Sequence, residues 1–202
     1  MGRPRSYQPD ELVSAAVRAF RRHGYAAASM DILTKATGLR RGSLYAAYAD
    51  KRALFLAALA EYTRATVGHV ERTLGTSDDP LAGVADVLAR VARVATDGEG
   101  RHGCLLTNTA AELAGRDPAI RDAVSAAFRR IEDAYAAALA RAAAAGRLAP
   151  DADTRATARL LVAVMQGLRI MGKAGAEPDA LEDVVESALR ALRAVPPAGA
   201  AA

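Results

Sequence analysis

A run of hydrogen-bond donors is the first group of residues that could do chemistry. Arg40-Arg41-Gly42-Ser43 is followed at short distance by Lys51 and Arg52. Their guanidinium, hydroxyl and ammonium groups can donate to phosphate oxygens or base edges, and Gly42 would let the backbone approach a nucleic acid closely. Lys51 and Arg52 stand at a predicted helix start, where cations oppose the helix dipole but where a phosphate binds well. The pattern favours DNA binding; its alternative is a pair of solvated cations.

The second such group surrounds the single cysteine. Cys104 follows Arg101 and His102 at the predicted N-terminus of a helix, a position that stabilises a thiolate. It could therefore sense oxidants or electrophiles, or be a small buried core residue, which is the reading we expect to hold.

Catalytic and cofactor sites are not indicated. Residues 98–103 match the dinucleotide-binding fingerprint letter for letter, but a helical pattern precedes them where a strand is required. His23, His69 and His102 have no metal-ligand spacing, and no Ser-His-Asp signature is present. We predict a protein that is not an enzyme and has no metal and no cofactor.

The composition indicates an all-α protein with a basic head. Aromatic residues are 4% of the 202, tryptophan is absent, and no alternating strand pattern occurs. Residues 1–52 hold ten basic and four acidic side chains, whereas the remainder holds 17 and 19. A small basic head suggests a polyanionic partner. No apolar run is long enough for a membrane span or a signal peptide, so we expect a cytoplasmic protein with no membrane partner.

Helix start and stop signals predict nine helices. Proline and acidic residues open several of them, and glycines close them. Their approximate extents are 9–24, 29–38, 41–47, a long fourth helix that begins at 50 and includes 62, and then 80–98, 104–114, 117–146, 153–172 and 177–194. The second and third, joined by the turn Gly38-Leu39-Arg40, form a helix-turn-helix over about 29–48, with Ile32, Leu33, Leu39 and Leu44 in its core.

Residues 7–62 resemble the TetR family of helix-turn-helix transcriptional regulators. The similarity lies in AVRAFRRHGYAAASM, ILTKATGLRRGSLYAAY and DKRALFLAAL. The resemblance implies that DNA is contacted by Ser29, Arg40, Arg41, Gly42, Ser43, Tyr45 and Lys51. Ala46-Ala47 depart from the aromatic residue and histidine that many relatives carry, and Tyr48 is expected to pack in the core. Residues 2–5 could be a minor-groove arm or a solubilising tail.

Beyond residue 62 the resemblance lies in architecture and in the segment GCLLTNTAAELAGRDPAI. It implies a helical pocket for a small-molecule effector and dimerisation through the last two helices. The residues expected at the pocket, each of which could equally be a surface or capping residue, are Cys104, Asn108, Gln166 and Arg169. The stripes expected at the dimer interface, which could also be intrachain core, contain Leu160, Val164, Gly167, Met171, Val184, Val185, Ala188 and Leu192.

Together these patterns predict two parts. Residues 7–66 form a three-helix DNA-binding domain, 67–195 a helical ligand-binding and dimerisation domain, and 196–202 a disordered tail. We predict a ligand-responsive, homodimeric DNA-binding regulator of the repressor type, released from a near-palindromic double-stranded operator by a small molecule. The alternative is a helical dimeric small-molecule or protein-binding module that has lost specific DNA binding.

Overall fold

All regular structure is helical in residues 9–149 and 151–192, which are the residues that the computed structural model describes. The predicted N-terminal arm and C-terminal tail lie outside them. A short 3-10 turn, Gly100–His102, follows the fifth of nine α-helices found in this part of the chain. The helices are α1 Pro9–Ala27, α2 Met30–Thr37, α3 Arg41–Ala47, α4 Lys51–Thr76, α5 Pro80–Thr96, α6 Leu105–Leu113, α7 Pro118–Ala144, α8 Thr154–Lys173 and α9 Pro178–Leu192.

Local signals in the sequence set most of the helix ends. The Ser29 hydroxyl accepts a hydrogen bond from the Ile32 N–H at 3.2 Å at the start of α2, and Gly38 ends that helix with φ 69°. Asp79 and Asp153 cap α5 and α8 in the same way. Gly24 breaks the helical geometry of α1 where a stop is predicted, although helical turns continue to Ala27. The predicted all-α architecture is confirmed.

The chain divides into two compact units. Of the described residues, those in 9–66 and His102–Ser125 form unit 1, and Val67–Arg101 and those in 126–192 form unit 2. The sequence pattern placed 102–125 in the second part of the protein. The structure groups this segment with the N-terminal helices because α6 packs against α1.

The core of unit 1 is built around aromatic rings. Phe20 and Phe55 are fully buried, with ring centres 5.0 Å apart in an edge-to-face arrangement, and the Tyr25 ring lies 4.8 Å from Phe55. Leu33 and Leu44, predicted as core, are also buried. In this unit α2 packs on α1 and α3 packs on α2, while Arg41, Gly42 and Ser43 at the start of α3 remain exposed.

Unit 2 is held by α5, α8 and α9, which pack on one another. Tyr135 on α7 is completely buried, its hydroxyl lies 4.0 Å from the Met165 sulfur, and burial raises its pKa. Gly172 permits close contact between α8 and α5, since a Cβ there would lie 2.5 Å from the Ala95 carbonyl oxygen. Across the described helices, none has the combination of length and apolar character needed to cross a membrane.

Candidate nucleic-acid interface

The predicted donor run lies on the solvent side of α3. Arg40, Arg41, Gly42 and Ser43 are all exposed, whereas Leu44 beside them is 1% exposed and anchors the helix to the core. Arg40 is the N-cap residue of α3, and its side chain makes no capping hydrogen bond. Three polar side chains and one glycine are thus presented together at the start of a helix that is supported from behind.

Tyr45 lies one helical turn after Arg41 and extends the exposed surface along α3. Its side chain is 41% exposed, and the Arg41 guanidinium lies 5.9 Å from the centre of its ring. Arg41 also approaches Asp31 at 4.0 Å, but both side chains are largely in solvent, so that ion pair is weak. Ala46 is exposed as well, whereas Tyr48 is half-buried.

The two remaining predicted DNA contacts also have structural tasks. Ser29 is exposed but uses its hydroxyl as the cap of α2. The Lys51 ammonium donates a hydrogen bond to the Ala26 carbonyl at 3.1 Å and lies 4.7 Å above the Tyr25 ring. Lys51 therefore holds the last turn of α1, which leads to α2, a contact that its sequence position did not indicate.

A carboxylate on α6 holds the same turn. Glu112 accepts hydrogen bonds from the Tyr25 N–H at 2.8 Å and from the Ala26 N–H at 2.7 Å. The Arg21 side chain also donates to the Gly103 carbonyl at 3.0 Å. Sequence analysis missed Glu112, because its partners lie 86 and 87 residues away and are backbone groups, which leave no mark in the sequence.

The four predicted pocket residues fall in different units. Cys104 is buried at the N-cap of α6, and the Asn108 amide on that helix donates to the His102 carbonyl at 3.0 Å, both in unit 1. Gln166 and Arg169 are half-buried on α8 in unit 2. The placement of Asn108 shows a structural task, holding the segment before α6.

Unit 2 contains a cavity of its own. It has a volume of about 740 Å³ and lies between α4, α5 and α9, where His69, Arg90, Arg93 and Glu182 are among the lining residues. Partial burial and the positive charges of Arg90 and Arg72 lower the pKa of His69. Among the residues in 9–149 and 151–192, no cluster of histidine, cysteine and carboxylate side chains is arranged to hold a metal ion.

The predicted dimer stripe on α8 is largely exposed. Leu160 is 54% exposed, Val164, Gly167 and Met171 are partly exposed, and Ile170, which the sequence reading omitted, is 56% exposed. On α9, Val184 and Ala188 are partly exposed, whereas Val185 and Leu192 are buried in the chain's own core at 7%. The outward stripe therefore contains six of the eight predicted residues.

The chain matches two family models, one that includes the helix-turn-helix and one that lies C-terminal to it. Residues 12–58 match the model for bacterial regulatory proteins of the tetR family, and residues 80–188 match the tetracyclin repressor-like C-terminal domain. The second match alone spans more than half of the 202 residues. This chain belongs to the TetR family. The resemblance inferred from the sequence is thereby confirmed, and with it the function of a helix-turn-helix transcriptional regulator.

Individual relatives are similar to this chain along nearly its whole length. The chain is 29% identical to the uncharacterized HTH-type transcriptional regulator YezE of Bacillus subtilis (strain 168), covering 95% of this chain and 100% of the relative. It is 27% identical to the HTH-type transcriptional repressor ComR of Escherichia coli (strain K12), covering 94% and 90%. Among solved structures, a cysteine mutant of the regulator CifR in complex with a 26-bp double-strand operator is 33% identical, with a TM-score of 0.84 and coverage of 94% and 99%.

Proposed function

We propose that this TetR-family chain is a homodimeric repressor that binds a near-palindromic operator through α3. The exposed donor run Arg40–Ser43, set on the buried anchor Leu44, is the observation that carries the proposal. The CifR complex with operator DNA and the repressor ComR support it. A two-fold dimer would place two α3 helices in successive major grooves, which requires half-sites about one helical turn apart.

The exposed stripe of α8 supports the dimer. Leu160 and Ile170 are two of the four large hydrophobic side chains that remain exposed in the described chain. They share one side of α8 with Val164, Gly167 and Met171, at spacings of three and four residues. A contiguous apolar stripe of this kind marks an association surface, and small residues within it permit close helix packing.

An effector site in unit 2 completes the proposal. The cavity of about 740 Å³ between α4, α5 and α9 lies within the size range of small-molecule sites. A small molecule that binds there would release the operator only if it binds the DNA-competent and incompetent states unequally. We infer that the chain acts by this binding equilibrium and performs no catalysis.

Repeated selection of duplexes from a random-sequence pool tests the proposal directly. We expect a two-fold related pair of half-sites to emerge. Recovery of no preferred sequence by a folded dimer would instead support the alternative, a helical binding module that has lost specific DNA recognition.

Lys51 should add one phosphate contact to this interface. In Lys51→Ala, we expect weaker binding of every duplex and a log–log salt dependence whose slope is smaller by about 1, because one fewer counterion is released. Fluorescence anisotropy across a salt series measures this slope. Lys173→Ala, an exposed lysine at the end of α8, should leave it unchanged. An unchanged slope with a lower melting temperature in Lys51→Ala would restrict Lys51 to its contact with Ala26.

Cys104 should be a structural residue, since it is buried and ends the turn before α6. We expect Cys104→Ser to retain operator binding, and we expect peroxide or a quinone to leave both wild type and variant on DNA in a gel shift. If peroxide released the wild type while Cys104→Ser stayed bound, Cys104 would be a thiol sensor.

A further inference from the structure

Both carboxylate oxygens of Glu112 accept hydrogen bonds from the last turn of α1. The donors are the N–H groups of Tyr25 and Ala26, which follow the break in α1 at Gly24. Hydrogen bonds from backbone N–H groups to an ionised acceptor are among the stronger ones in proteins. One side chain of α6 thus holds two consecutive residues of the turn that leads out of α1.

Gly24 is shaped to receive that carboxylate. Its φ of 75° lies in the left-handed region, and a Cβ at this position would stand 2.8 Å from the Glu112 Oε2. The backbone conformation therefore favours glycine, and a Cβ at this position would push the Glu112 carboxylate away from the Tyr25 and Ala26 N–H groups. Gly24 and Glu112 are distant in sequence, but the absence of a side chain on Gly24 leaves room for the Glu112 carboxylate.

The turn held in this way leads directly to the DNA-binding helices. Ser29 donates its N–H to the Ala27 carbonyl at 2.8 Å and caps α2, so only two residues separate Ala26 from that cap. The Lys51 ammonium binds the Ala26 carbonyl from the other side at 3.1 Å. The peptide groups around Ala26 are thus fixed by an anion at the N–H and by a cation at the carbonyl.

Two further contacts, both within unit 1, fasten the segment around α6 to α1 and α4. The Asn108 amide donates to the Arg21 carbonyl at 3.4 Å. At the far end of the segment, Arg52 pairs with Asp117 at 2.7 Å, and this contact lowers the pKa of Asp117. Glu112 therefore acts from a helix that is itself held in place on α1 and α4.

We propose that Glu112 is a positioning residue for DNA binding, which fixes the direction in which α2 and α3 leave α1. The proposal rests on the proposed function, because it concerns the same α3 surface. Glu112 touches no DNA in it. Its effect reaches the operator through the Tyr25–Ala26 turn and the α2 cap.

Hydrogen exchange and DNA binding together test this role in the full-length protein. Glu112→Ala removes both acceptors, and Glu112→Gln keeps one. Glu61→Ala is the matched control, since Glu61 is also in unit 1 but pairs with the exposed Arg64 on its own helix. Exchange of the Tyr25 and Ala26 amides is followed by NMR without DNA. Affinity is measured by anisotropy on the duplex that the wild type selects from a random pool.

In Glu112→Ala we expect the Tyr25 and Ala26 amides to exchange about tenfold faster or more, while amides in unit 2 keep their wild-type rates. Operator affinity should fall about tenfold, which corresponds to roughly 1.4 kcal/mol, with the salt slope unchanged because no phosphate contact is lost. Glu112→Gln should lie between wild type and Glu112→Ala, and Glu61→Ala should match the wild type. Gly24→Ala should reproduce the defect.

Three results would overturn the role. The first is exchange at Tyr25 and Ala26 of Glu112→Ala within twofold of the wild-type rate. The second is faster exchange there with unchanged operator affinity. The third is an equal rise in exchange across all of unit 1, which would indicate general destabilisation. If the wild type selected no duplex, the proposed function would fail separately. The exchange measurement would then still decide whether Glu112 holds the turn.

Discussion

Gly167→Glu should convert the protein from a dimer into a folded monomer. A Cβ on Gly167 meets no atom within 4 Å, so the new side chain fits the isolated chain without a clash. In the proposed dimer the same carboxylate would be buried in the α8 stripe without a partner, at a cost of several kcal/mol. Sedimentation velocity at micromolar concentration should show a monomer, and operator affinity should fall by orders of magnitude because one half-site alone is bound.

Gly75→Glu is the control for this experiment. Gly75 is also a helical glycine with open space around its Cβ, but it lies on α4, away from the proposed interface. It should leave the dimer intact. A wild-type monomer at micromolar concentration, or a Gly167→Glu dimer of wild-type affinity, would contradict the assignment of this stripe to the interface and remove the basis for a two-fold operator.

Gly172→Ala should destabilise unit 2 although it adds only one methyl group. The added Cβ would lie 2.5 Å from the Ala95 carbonyl oxygen and 2.6 Å from its Cβ, so two helices would have to move apart. Overpacking of this kind costs about 1–3 kcal/mol, a large part of the roughly 5–15 kcal/mol by which a domain is stable. Urea unfolding followed by circular dichroism should show a lower midpoint with an unchanged slope.

The comparison variant is Gly75→Ala, which adds the same methyl group to a helix where nothing stands within 4 Å. Its midpoint should rise slightly, because alanine in a helix is more favourable than glycine by about 0.5–1 kcal/mol. Equal midpoints for Gly172→Ala and the wild type would show that α5 and α8 do not meet as closely as described.

The sequence by itself determined the helices and the exposed donor run at the start of α3, which we propose as the DNA-binding surface. Caps such as Ser29 and stops such as Gly38 act within three or four residues, so their effect can be predicted from neighbouring positions. The exposure of Arg40 and Arg41 followed from their charge and their position at the start of α3, because long cationic side chains are rarely buried without a partner. Residue types and spacings of this kind also carried the resemblance to the TetR family.

The tertiary structure alone decided how distant segments meet. Residues 102–125 joined the N-terminal unit through contacts such as that of Glu112 with the Ala26 N–H, and a backbone N–H has no residue identity that a sequence pattern could show. On α9, the apolar pattern did not separate the buried Val185 from the partly exposed Val184, because hydrophobicity predicts burial but not the surface that provides it. Helical period is a local property, whereas the partner of each face depends on how the whole chain packs.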